Sequence, residues 1–177
     1  MINDGDSSDA PLRNRVEESG LIAFDLSRLV TDEIIKPFDL AGFLESGFVL
    51  KEKTFRSALS ELDEANWTAS VVALHCSTDA IIPDWAWMLV TSKLSELNAL
   101  IYFGSPTEVK EQRLLEAIDQ LDLNPFEDGR IVIKGCSEVT SPKGLARLIQ
   151  RLQPSAHSIF YGEPCSTVPV YKRRKKS

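Results

Sequence analysis

Four short apolar runs separated by helical patterns constrain this chain more than any other feature. Val71–His75, Ala99–Phe103, Arg130–Lys134 and Ser158–Tyr161 are strand-length stretches that stay largely apolar at consecutive positions. A strand with one solvated face alternates apolar and polar residues, whereas one covered on both faces has no need to. The segments between the runs carry helix signals. Pro83 and Asp84 suit the first turn of a helix running to about Leu97, since proline has no N–H to lose there and the dipole favours a carboxylate. Ser105-Pro106-Thr107-Glu108 is a capping box, followed by Val109, Leu114, Leu115, Ile118 and Leu121 at helical spacing. Ser141-Pro142 opens a further helix with Leu145, Leu148, Ile149 and Leu152 on one face.

The resulting βαβαβαβ order predicts an α/β fold: a parallel sheet of about four strands with helices on both faces. Right-handed crossovers leave few topologies, and a flavodoxin-like order, 2-1-3-4, is the expected one. Residues 70–171 form this core. Residues 14–69 read as an N-terminal α+β extension of the same single domain, 14–171. In it Leu21–Leu26 is a strand, Phe38–Leu44 and Phe48–Leu50 are of undecided type, and Thr54 caps a helix reaching about Glu64. Residues 1–13, rich in Asp, Ser and Gly, read as a disordered arm. Residues 172–177 read as a basic, solvated tail whose loss should leave stability unchanged.

Bulk properties narrow the function classes. No apolar run approaches the roughly 20 residues of a membrane-spanning helix, and the acidic, polar start, MINDGDSSDAPLRNR, is unlike an export signal. A soluble, cytoplasmic protein with no membrane partner is therefore expected. A net charge of −6 argues against nucleic acid as a partner of the domain. Dinucleotide, P-loop, nucleophile-elbow and HExxH zinc-protease patterns are all missing from the sequence. Residue 82, six after Cys76, is Ile, and residue 142, six after Cys136, is Pro, so no phosphatase-type arginine follows either cysteine.

The three cysteines carry the chemistry. Cys76, Cys136 and Cys165 follow the first, third and fourth core strands. In a 2-1-3-4 order those strands are neighbours, and ligands of open α/β sheets bind at the carboxyl ends of strands near the switch point. An odd number of thiols in a reducing compartment suits a metal site better than a disulfide framework. Zinc takes thiolate sulfur and needs one further ligand here. Asp79, on the same loop as Cys76, is the first candidate, Glu163 the second and His75 the third, with water as the remaining option. His75 neighbours Cys76 at a strand end, where side chains alternate faces, so it should point away. Iron or an iron–sulfur cluster is the less favoured occupant. The competing explanation is packing, because free cysteine behaves as a small buried hydrophobe. Trp85 and Trp87 likewise read as core aromatics before they read as a ligand-stacking pair.

Two longer segments carry a resemblance. Cys76-Ser77-Thr78-Asp79-Ala80-Ile81-Ile82-Pro83-Asp84-Trp85-Ala86, and Tyr161-Gly162-Glu163-Pro164-Cys165 running on through Ser166-Thr167-Val168-Pro169-Val170-Tyr171-Lys172, are similar to motifs of the bacterial domain-of-unknown-function family 2480. Lys134-Gly135-Cys136, Asn14-Arg15-Val16 and the 19–26 segment resemble it as well. The resemblance implies that the three cysteines and Asp79 belong to the motifs while His75 does not. It also implies an association with iron–sulfur assembly, and a ligand set similar to that of zinc-dependent sulfur-transfer scaffolds. The reading is thus a zinc-binding protein of sulfur or iron–sulfur metabolism, with Cys76, Cys136, Cys165 and Asp79 as ligands. Two alternatives stand beside it. One is an interaction module with structural cysteines, docking a protein partner through Trp85 and Trp87 or the tail. The other is a metal-free thiol enzyme using Cys76, its pKa lowered by the helix that begins at Pro83.

Overall fold

The run Val71–His75 forms a strand buried along its first four residues. In the computed structural model, which describes residues 20–29, 33–134, 141–163 and 166–174, both edges of this strand are occupied. Seven strands are present among those residues: β1 (Leu21–Phe24), β2 (Ile35–Asp39), β3 (Val71–His75), β4 (Leu100–Phe103), β5 (Arg130–Ile133), β6 (Ser158–Glu163) and β7 (Ser166–Lys172). The α-helices are α1 (Glu52–Ser60), α2 (Glu64–Trp67), α3 (Asp84–Glu96), α4 (Pro106–Asp119) and α5 (Pro142–Leu152). The described residues gather into two compact units, those within Leu29–Gln120 in one and those within Met1–Arg28 and Leu121–Ser177 in the other. Among the described residues no helix is long and apolar enough to cross a membrane.

The unit Leu29–Gln120 holds a parallel sheet in the order β2-β3-β4. Val72 and Leu74 point to one face, where they meet Phe38, Phe55, Leu59, Ala86, Val90 and Leu94 from β2, α1 and α3. Val71 and Ala73 point to the other and meet Val109 of α4. The sheet therefore lies between helices, as consecutive apolar positions require. The capping box at α4 is present: the Glu108 carboxylate accepts from Ser105 N at 2.7 Å, and Ser105 Oγ accepts from Glu108 N at 3.4 Å. Helix α1 starts earlier than expected, with Lys51 rather than Thr54 at its cap, and it ends at Ser60. A Glu52–Arg56 pair one turn apart supports the early start.

The other unit holds a mixed sheet in the order β1-β5-β6-β7, with β1, β5 and β6 parallel and β7 antiparallel. Ile131, Val132, Ile133 and Ile159 are buried, as are Leu148 and Leu152 of α5. Phe24 and Phe126 meet edge to face at 5.4 Å.

The α/β class is as expected, but the flavodoxin-like order of a single sheet is not found. That order needs β3 beside β5. Instead β2 and β4 take the two edges of β3, and β1 and β6 take those of β5. The segment read as an extension supplies the missing strands: β1 enters one sheet and β2 the other. Strand β7 was not expected, because Pro169 interrupts its pattern. It is an edge strand, where a missing N–H is tolerated, and the register skips Val170 between the Ile159–Tyr171 and Phe160–Pro169 pairs as a bulge. Its last residue, Lys172, pairs with Ser158, so the expected tail begins inside the sheet.

Candidate functional site

Strands β2 and β3 run side by side and end together, with Asp39 paired in register with His75. Side chains alternate along a strand. Phe38 and Leu74 enter the apolar cluster with α1 and α3, which puts Asp39 and His75 on the opposite face. His75 Nδ1 lies 3.2 Å from the Ala73 carbonyl oxygen, and its Nε2 lies 4.0 Å from Asp39 Oδ2. The other carboxylate oxygen, Oδ1, accepts from Ala41 N at 2.9 Å and from Ser77 N at 3.0 Å. Partial burial alone would raise the Asp39 pKa. Hydrogen bonds from Ser77 and Ala41, with the nearby His75, outweigh that and hold the carboxyl below its ordinary value.

Cys76 follows His75 and turns to the other face, where it packs half-buried against the cluster that contains Phe38 and Leu74. Its Sγ is 3.3 Å from Thr78 Oγ1. Ser77, Thr78 and Asp79 are exposed on the loop that leads to α3. The expectation that His75 points away from Cys76 therefore holds, and the two do not form a nucleophile–base pair. Trp85 and Trp87 are partly buried and pack against the apolar cluster, with the Trp85 ring 6.1 Å from Phe55 and the Trp87 ring 5.9 Å from the exposed Phe103.

In the other unit, β1, β5 and β6 end on one side of their sheet. Lys134 N donates to the Phe24 carbonyl at 2.9 Å, tying the exit of β5 to the end of β1. Asp25 follows β1 and accepts from Ser27 Oγ at 2.7 Å and Ser27 N at 3.0 Å. Those bonds, with Lys134 and Arg28 adding positive charge, hold its carboxyl below the ordinary value. Glu163 closes β6 and pairs with Ser166 of β7, leaving residues 164 and 165 between the paired ends.

Cys136 and Cys165 lie outside the described residues. Of the two strand adjacencies on which convergence of the cysteines rested, β5 beside β6 is present and β3 beside β5 is not. Among the described residues no group of three or more His, Cys, Asp or Glu is placed to hold a metal ion. Asp39 was missed from the sequence. Its one signal was an N-cap position before Leu40-Ala41-Gly42-Phe43, which form a 3₁₀ turn.

A family model described as a protein of unknown function, DUF2480, matches residues 10–173. No curated protein and no solved structure matches the chain.

Proposed function

The chain belongs to the DUF2480 family, and for it we propose a function in thiolate metal binding, with zinc as the metal and Cys136 and Cys165 among its ligands. The observation that supports this is the parallel pairing of β5 with β6. Ile133 pairs with Tyr161, and Cys136 and Cys165 follow those residues at nearly equal distance along the chain. Neighbouring strands are about 4.8 Å apart, and the sulfurs of a tetrahedral zinc site with Zn–S of about 2.3 Å are about 3.8 Å apart. The Ile133–Tyr161 register is thus what supports reading the two cysteines as ligands of one metal. Thiolates favour zinc over calcium or magnesium.

Cys76 and Asp79 are the further proposed ligands, and substitutions at each test their membership. A carboxylate is the weaker donor, so an Asp79 ligand suits a site that opens to accept sulfur or a partner's thiolate. On that ground we assign the protein to sulfur or iron–sulfur metabolism. The metal-free thiol enzyme using Cys76 stands as an alternative, in which His75, on the face opposite Cys76, takes no part as a base.

The test is the zinc content of full-length protein purified without added metal, followed by competition affinity for C76S, D79A, C136S and C165S. Stoichiometric zinc that is lost in C136S and C165S supports the proposal. Protein free of zinc in both oxidised and anaerobic preparations overturns it and leaves the interaction module.

A further inference from the structure

We propose that Asp39 is the positioning residue of the loop carrying Cys76 and Asp79, a role that rests on the metal-binding reading for its purpose but not for its test. Residues 76–83 join β3 to α3 without regular structure. Ser77 ties this loop to a neighbouring strand: its N–H donates to Asp39 Oδ1 at 3.0 Å, and its side chain hydrogen-bonds the same carboxylate. The carboxylate thus acts on the residue next to Cys76, just where the chain leaves β3. The same oxygen accepts from Ala41 N and so caps the 3₁₀ turn after β2. One atom therefore fixes the exits of two adjacent parallel strands. The second carboxylate oxygen lies 4.0 Å from Nε2 of His75, its register partner.

The consequence is a division of labour at the end of β3. His75 and Asp39 occupy one face as a scaffold, while Cys76 occupies the other. Removing the carboxylate frees Ser77, and with it the backbone that aims Cys76 and Asp79. Asparagine keeps an oxygen acceptor in the same place, so it should hold the loop without the charge. A residue that merely filled space would be replaced by leucine as well as by asparagine, so D39L, similar in volume but without an acceptor, should accelerate alkylation as D39A does.

The experiment uses the full chain in two cysteine backgrounds. In C136S/C165S, where Cys76 is the remaining thiol, its alkylation by N-ethylmaleimide is timed for Asp39, D39N and D39A. Alkylation should accelerate roughly fivefold or more in D39A, the effect of losing a hydrogen bond worth about 1 kcal/mol. It should stay near the parent rate in D39N. In the wild-type cysteine background, Ser77 amide exchange should quicken in D39A and not in D39N. Should D39A fail to fold, S77P removes the same N–H from the other side and should also accelerate alkylation. Parent-like alkylation and unchanged Ser77 exchange in D39A overturn the proposal. Absence of zinc from the wild type sinks the metal reading alone, because neither readout requires metal.

Discussion

The Asp39 carboxylate accepts the backbone N–H of Ser77 at 3.0 Å, across 38 positions of sequence. Its carboxyl is held below the ordinary carboxylate range in the folded chain. A depressed folded pKa stabilises the protein above the unfolded pKa, and that stabilisation is lost as pH falls through the folded value. Denaturant titrations near pH 7 should therefore show wild type above D39N, with the gap narrowing towards about pH 3. D39A, which also removes the cap, should cost about 1–2 kcal/mol near neutral pH. A gap between wild type and D39N that widens in acid would contradict the assignment.

Arg173 anchors the C-terminal end of β7. Its N–H donates to the His157 carbonyl at 2.9 Å, and its guanidinium reaches Asp128 Oδ1 at 2.9 Å and the Ser155 carbonyl at 2.8 Å. Truncation after Lys172 should lower stability by about 0.5–1.5 kcal/mol, or about 1–6 °C in melting temperature. Truncation after Arg174 should leave it unchanged. Equal melting temperatures for the two truncations would show that Arg173 contributes nothing, as a solvated tail would.

Gly162 has φ of +123°, and a Cβ there would stand 2.5 Å from the Ser166 carbonyl oxygen. G162A should cost about 1–3 kcal/mol through strained backbone and displaced β7. The displacement falls on the pairing of Gly162 with Thr167 and of Glu163 with Ser166, which flank Cys165 in the chain. On the proposed function, zinc affinity should fall with stability. Calorimetry and zinc competition on one preparation check both effects. Wild-type stability in G162A would mean the hairpin yields without cost.

Helices α3, α4 and α5 and the four core strands were legible because each rests on local chemistry, whereas α2 was not read and the start of α1 was misplaced. The Ser105 box, the Ser141-Pro142 start and the Val71–His75 run needed no knowledge of their neighbours. Sheet order was not legible, because it depends on which strand takes each edge. Ile35–Asp39 contains Pro37, and Ser166–Lys172 contains Pro169, so both lacked an apolar signal although each fills an edge position. Apolar runs report burial on two faces and nothing about lateral partners. The same gap governed the site. Cys76 was visible as a strand-end thiol, and the opposite facing of His75 followed from strand alternation. Asp39 showed only its N-cap position, since its role at the site arises from a pairing with His75 that only the β2–β3 register creates.

The most direct measurement of the central claim is X-ray absorption at the zinc edge of the full-length protein purified without added metal. The account predicts sulfur scatterers at about 2.3 Å, reduced in number in C136S and in C165S. A first shell of nitrogen and oxygen alone at about 2.0–2.1 Å, unaltered by either substitution, would contradict it.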